Sequence, residues 1–203
     1  MSRLSERDAS ADRWPRPGDP EWDSLWSSVG AGAEGPGSAQ ANEPASPSRQ
    51  MRLIVRTDGA ARGNPGPASL GAVLIDAAAP GARRPDAAAV ASISEYLGVQ
   101  TNNVAEYTAV LRALALAEEL GALELEMLLD SKLIVEQLHG RWRVKDAKLM
   151  PLHAEVKARL TRFTSWSAAH VPRAQNRQAD ALCNEAIDRV QAGGARVVVV
   201  RPK

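Results

Sequence analysis

The chain reads as an α/β domain built on a mixed five-stranded sheet with helices on both faces, in the order β-β-β-α-β-α-α-β-α. Two observations predict it. Apolar segments of strand character dominate residues 51–98, and apolar spacing of three and four sets in from Val104 onward. Four acidic residues, Asp58, Glu106, Asp130 and Asp180, also fall where strands end or helices begin, the places where an α/β sheet gathers its functional groups.

Residues 51–57 carry the apolar run Leu53-Ile54-Val55 up to Asp58 and then meet Gly63-Asn64-Pro65-Gly66-Pro67, which gives a first strand and a loop. Segments 70–76 and 90–98 are apolar and β-branched, and a Pro/Gly/Ala/Arg loop separates them, so three strands in antiparallel meander order are expected. Val104, Tyr107, Leu111 and Leu114 mark an amphipathic helix through about Leu120, which Gly121 ends. Residues 123–129 form a fourth strand, reached through a parallel crossover. A short helix over about 131–138 runs out at Gly140, and another starts near Pro151 and reaches Leu160. A fifth strand over 163–171 and a last helix over about 176–191 complete the domain, assigned to 51–192, with 193–203 as a C-terminal tail in which Val197 to Val200 has strand character.

The first fifty residues hold no sustained hydrophobic period and are crowded with Gly, Pro, Ser and Ala, so they are expected to be a disordered tail. They carry 5 Lys/Arg against 8 Asp/Glu, and residues 51–203 carry 20 against 16, so the net charge of +1 hides an acidic tail on a mildly basic domain. Asp19-Pro20 followed by Trp22, Leu25, Trp26 and Val29 has the cap and apolar stripe of a short helix, suited to a protein partner through residues 19–29 or to docking on its own domain. Residues 132–162 hold eight Lys/Arg and three acids, which suits a polyanion or an ordinary solvated helix face.

The single Cys183 excludes an internal disulfide. No apolar run approaches the roughly 18 residues of a membrane span, and the N-terminus lacks an apolar signal core. A soluble, cytoplasmic monomer without membrane contact is the expectation.

Each acid has a structural alternative. Asn103 with Glu106 could be a capping box, Asp130 an N-cap, Asp58-Gly59 a turn, and Asp180 a surface charge. Their joint delivery to one sheet edge favours chemistry, because four gathered carboxylates repel unless a divalent cation holds them. No Cys/His cluster offers a zinc alternative.

Four blocks, Thr57-Asp58-Gly59-Ala60-Ala61-Arg62-Gly63-Asn64-Pro65-Gly66, Thr101-Asn102-Asn103-x-x-Glu106, Asp130-Ser131 and Val171-Pro172-Arg173-x-x-Asn176-x-x-x-Asp180, closely resemble ribonuclease H type I in order, spacing and neighbours over about residues 51–191. The resemblance implies the ribonuclease H-like fold and an endonuclease that cuts the RNA strand of an RNA–DNA hybrid, leaving 5′-phosphate and 3′-hydroxyl ends. It also implies two Mg²⁺ ions, with Mn²⁺ able to substitute. Asp58 would bridge both ions, Asp180 would complete the water-activating site, and Glu106 and Asp130 would hold the other ion.

Strand choice would come from the RNA 2′-hydroxyl. By resemblance, the backbone around Gly59 to Arg62 and the side chains of Asn64, Asn103 and Glu106 line the RNA strand, while Thr101 and Asn102 face the DNA strand and its phosphate. Ser131, Trp142, Arg173 and Asn176 complete the expected substrate contacts. Trp142 sits among Arg141, Arg143 and Lys145, where it could stack on a sugar or base or anchor its loop to the core.

The chain departs from the family pattern twice. The loop from Val171 to Asp180 is short and contains no histidine, which leaves Arg173, His170 or nothing in the role of the usual mobile histidine. His170 belongs to a strand end, where packing or a structural hydrogen bond is the expected use. Residues 139–149 are too few for the inserted basic helix some members use to grip the hybrid. Cleavage of double-stranded RNA, as in some short relatives, and a catalytically silent hybrid-binding module are the alternatives.

Overall fold

The computed structural model describes residues 51–202. The 1–50 tail and its tryptophan-containing segment therefore lie outside the described residues. Strands β1 (Arg52–Ala61), β2 (Gly66–Asp76) and β3 (Ala91–Gln100) precede helix α1 (Asn102–Glu119) and strand β4 (Glu124–Leu129). Helices α2 (Lys132–Leu138) and α3 (Leu149–Leu160), strand β5 (Ser165–His170), a 3-10 turn (Arg173–Gln175), helix α4 (Arg177–Gln191) and strand β6 (Val197–Val200) follow.

The sheet has six strands in the order β5-β4-β1-β2-β3-β6. β1, β2 and β3 form the expected antiparallel meander, and β1–β4 and β4–β5 are parallel. The expected count of five is corrected by β6, which lies antiparallel on β3 with Glu95 opposite Val197 and Ser92 opposite Val200. The segment taken as a tail is thus an edge strand. Its four valines suit a pleated surface, and β3 would otherwise present unpaired backbone groups at the sheet edge.

β1 is buried on both faces, and its alternation divides the core. Leu53 and Val55 face a layer built from α1, α2 and α3, with Tyr107, Leu111, Leu114, Ile134, Leu152 and Val156 in it. Ile54 faces the opposite layer with Val73, Ile75, Leu128 and Val171, against which Leu182 of α4 packs. α1 departs from the amphipathic expectation: it is buried almost all round from Val104 to Ala117, because it lies between the sheet and α3. Arg112 in its middle forms a buried two-pronged ion pair with Glu95 of β3, at 2.7 and 2.8 Å. In α4 only Ala179, Cys183, Ala186 and Ile187 are buried, a one-sided stripe.

α4 comes unusually close to the sheet. A methyl group at Gly71 would lie 2.1 Å from the carbonyl oxygen of Ala179, so a glycine is needed there for α4 to seat. Gly71 is the cross-strand partner of Asp58, so the approach brings α4 alongside the acidic end of β1.

The C-terminal strand is fastened by side chains. Arg189 of α4 donates to Ala195 O at 2.7 Å, to Ser94 Oγ at 3.0 Å and to Ser94 O at 2.8 Å, and Arg201 pairs with Glu119 at 2.6 Å. A chain ending at Gly194 is expected to lose about 1–3 kcal/mol of stability, read as a Tm lower by roughly 3–10 °C in thermal denaturation. An unchanged Tm would show that β6 adds nothing to the fold.

Candidate active site at the acidic sheet edge

For three of the acids the turn or cap alternative does not occur. Asp58 and Gly59 are both within β1 and form no turn. The N-cap of α1 is Thr101, whose Oγ1 accepts the Val104 N–H at 3.4 Å, so Glu106 is not spent in a capping box. The N-cap of α2 is Ser131, whose side chain makes no capping bond, and Asp130 is not the cap.

Glu106 is held from two sides by neutral donors: Ser131 Oγ donates to Oε2 at 2.5 Å and Asn102 Nδ2 to Oε1 at 2.8 Å. Asn64 Oδ1 accepts the Asn102 N–H at 3.2 Å, which ties the β1–β2 loop to the start of α1. Gly59 permits this arrangement. A methyl group there would lie 2.1 Å from the backbone nitrogen of Glu106 and 2.3 Å from the carbonyl carbon of Ala105, so α1 reaches β1 only across a bare backbone.

Asp130 is held by Asn176, whose Nδ2 donates to Asp130 Oδ1 at 2.9 Å and to Thr57 O at 2.8 Å. Asn176 is 0% exposed, so this expected substrate contact is instead a buried brace that joins the ends of β1 and β4 beneath the acids. Asp180 lies in the first turn of α4 and pairs with Arg173 at 2.5 Å. Asn184 Nδ2 approaches its other oxygen at 3.4 Å.

Asp58 is only 8% exposed, and its Oδ2 has no hydrogen-bond partner among the described residues. Its pKa is pushed up to about 7, first by burial and then by the charges of Asp130 and Asp180, with Arg173 opposing and Glu106 adding. Burial also raises Glu106, against the lowering effect of Ser131 and Asn102. The four acids thus share one electrostatic environment.

Among the described residues no group of three or more His, Cys, Asp or Glu side chains is placed to hold a metal ion as it stands. The donor set still fits a hard divalent cation. Mg²⁺ keeps several waters and takes few protein carboxylates, and the buried, unpartnered Asp58 oxygen lacks only a positive charge.

The remaining expected residues divide by surroundings. Asn103 is exposed at the start of α1. The Arg62 side chain is engaged with α4, through Asp188 at 2.7 Å and Gln191 at 3.4 Å. Trp142 is 46% exposed with Lys132 Nζ 5.9 Å from its ring, which does not fit a core anchor. His170 is exposed at the end of β5, where packing was expected. His139 and His153 are structural: their Nε2 atoms meet Ala168 O at 2.8 Å and Gln137 O at 3.3 Å.

Sequence reasoning missed Arg56, a fully buried arginine two residues before Asp58 whose guanidinium meets Gln175 O and Arg83 O, each at 2.7 Å. A charged residue inside a buried strand was the available signal. It also missed Cys183, whose thiol donates to Asp58 O at 3.0 Å.

This sheet order, with acids from β1, α1, β4 and α4 gathered at one edge, defines a domain of the ribonuclease H-like class. A family model described as reverse transcriptase-like matches residues 56–186. Ribonuclease HI of Halobacterium salinarum is 42% identical over 142 residues, 70% of this chain and 67% of the relative. The crystal structure of RNase H1 from that archaeon has a TM-score of 0.62 and covers 68% of this chain and 98% of its own. Bifunctional protein Rv2228c of Mycobacterium tuberculosis is 40% identical over 145 residues, 71% of this chain, and the match spans only 38% of that relative's length. LC11-RNase H1, solved in complex with an RNA/DNA hybrid, is 38% identical with a TM-score of 0.62, over 68% of this chain and 99% of that one. The chain belongs to the ribonuclease H type 1 family.

Two predictions follow from the geometry. Gly59→Ala drives Cβ into the backbone of Glu106 and is expected to cost about 3 kcal/mol or more, measured by denaturant unfolding; an unperturbed variant would contradict the close approach.

The second concerns pH. The folded Asp58 value of about 7 lies above the ordinary 3.8, so its charged form opposes folding in metal-free protein. Its favourable contribution is complete below about pH 4 and is lost as pH rises through about 7. In chelator at about pH 8, Asp58→Asn is expected to be about 1–3 kcal/mol more stable than wild type, and the gap should vanish near pH 4. Thermal melts across that range check both the sign and the window.

Proposed function

We propose that this domain hydrolyses the RNA strand of RNA–DNA hybrids with divalent cations, Mg²⁺ or Mn²⁺, leaving 5′-phosphate and 3′-hydroxyl ends. The observation that carries this reading is the buried, unpartnered oxygen of Asp58 beside three further acids. It gains support from family membership and from a relative solved with a hybrid.

Each residue has a task that follows from its contacts. Asp58 Oδ2 has no hydrogen bond to give up, and a cation bound there would offset the burial and repulsion that raise the carboxyl's pKa. Ser131 and Asn102 fix the Glu106 carboxylate without neutralising it, and Asn176 does the same for Asp130. Bound there, two divalent cations would lower the pKa of water and offset charge on the scissile phosphate and the departing oxygen.

Arg173, 74% exposed on its side chain, places a guanidinium beside Asp180 where a phosphate or product could be met. It suits the role of the missing loop histidine better than His170, which belongs to β5 and not to the turn that leads to Asp180.

Outside the acids, Thr101, Asn102, Asn103 and Asn64 lie at the start of α1 and the loop beside it, where a ligand over Glu106 would pass. Trp142 with Lys132 supplies an aromatic face and a cation for a second strand. Without a longer basic insertion the grip should weaken steeply with salt.

The test is cleavage of an end-labelled hybrid with Mg²⁺ or Mn²⁺ over a salt series, beside a DNA duplex and an RNA duplex. The hybrid should be cut and the DNA duplex left intact. Asp58→Asn and Asp130→Asn should each reduce the rate by about 100-fold or more while the variants stay folded. Undiminished cutting by these variants would overturn the assignment. Cutting of the RNA duplex would widen the substrate class, and tight binding without turnover in either metal would favour a silent binding module.

A further inference from the structure

We infer that Arg56 is a positioning residue of this site, acting by clamping the turn that carries Arg173 and Asn176 onto β1.

Arg56 is 1% exposed, and burial lowers its pKa, with the charge of Glu126 opposing. It sits opposite Val73 in the β1–β2 ladder, on the strand face that also carries Ile54 and Asp58. An aliphatic side chain would fill this layer without the desolvation penalty that a guanidinium suffers there, so packing alone does not account for the arginine. Its donors do. Nη1 donates to Gln175 O at 2.7 Å and Nη2 to Arg83 O at 2.7 Å, while Nε has no partner.

The first of these bonds matters for the site. Gln175 closes the Arg173–Gln175 turn, and the next residue is Asn176, which braces Asp130 and the Thr57 carbonyl. β1 therefore grips this short segment at two points, through Arg56 on Gln175 and through Asn176 on Thr57. Beyond the segment, α4 begins and delivers Asp180; before it, Arg173 pairs with the same Asp180. The Arg56 guanidinium meets the backbone carbonyls of Gln175 and Arg83 and bonds to none of the four acids, so it acts on the site through the turn. Its second bond ties the β2–β3 loop at Arg83 to the same guanidinium, which leaves the fork little freedom to move.

The inference uses the hybrid-cleavage reading only for its activity readout. The experiment compares wild type, Arg56→Met, Arg56→Lys and, as a control for lost stability in the same layer, Val73→Ala. For each, kcat and KM are measured on a hybrid with Mg²⁺, and amide hydrogen exchange of metal-free protein is followed at Gln175, Asn176 and Asp180. These amides donate to Pro172 O, Arg173 O and Asn176 O.

Arg56→Met should lower kcat by about 10- to 100-fold, with KM within about twofold of wild type. It should also speed exchange at the three amides. Arg56→Lys, which keeps the charge and one donor group, should recover part of both effects. Val73→Ala should lose Tm but keep kcat and protection. Equal kcat losses in Arg56→Met and Val73→Ala, or unchanged kcat and protection in Arg56→Met, would overturn the inference. If Arg56→Met does not fold, wild-type kcat and protection in Arg56→Lys would overturn it. A wild type that does not cut hybrids refutes the proposed function, while the exchange comparison still decides the clamp.

Discussion

Three acids gathered around a buried Asp58 repel it and one another, and the arrangement of this domain around β1 is organised to withstand that repulsion. Asp58 experiences burial and three neighbouring acids at once, with one cation in opposition. Such a cluster survives only when the surrounding backbone is fixed by interactions that do not depend on the charges. The two glycines meet that need. Gly59 lets α1 lie against β1 on one face, and Gly71 lets α4 lie against β2 on the other, so that Glu106 and Asp180 arrive from opposite sides of the same strand end.

The rest of the frame is braced by polar contacts in places where apolar packing could not set register. Arg112 and Glu95 lock α1 to β3, Arg189 locks α4 to β3 and to the segment before β6, and Asn176 locks β1 to β4. Buried polar pairs of this kind add little net stability, because desolvation offsets their attraction. Their geometry is exacting, however, and an element displaced by an ångström or more leaves buried donors and acceptors unpaired, which is costly. Directional bonds thus fix where the helices sit, while Leu53, Val55, Leu111 and Leu114 supply the burial that holds them there.

Much of this was legible in the sequence because it is local. The meander, the crossover through α1 and the helix boundaries follow from periodicity and from Gly121 and Gly140, and the four acids stood out as motifs at element ends. What escaped detection is long-range. The strand character of Val197 to Val200 was legible, but its place on the free edge of β3 was not. Asn176 looks like a polar loop residue until the fold buries it between Thr57 and Asp130, and Asp188 becomes the partner of the Arg62 side chain only once α4 is in place. His170 reads as a packed strand end, but β5 is the outer strand of the sheet and leaves it exposed. Arg56 contradicts the apolar pattern of its strand, and the acceptors that explain it lie 27 and 119 residues away.

The acids also differ in how they are restrained, and that difference gives the site a rigid side and an adjustable one. Glu106 and Asp130 are fixed by Ser131, Asn102 and Asn176, neutral donors that orient a carboxylate and leave its charge available. Asp180 is restrained by Arg173, whose own charge satisfies it, and that arginine is largely in solvent. An exposed ion pair of this kind is worth about 1 kcal/mol or less, so it yields readily to a stronger competitor. Three acids are set by the fold, and the fourth is held by a partner that it can exchange. Because the same turn carries Arg173 and leads into α4, how firmly β1 holds that turn governs how far the adjustable side can move.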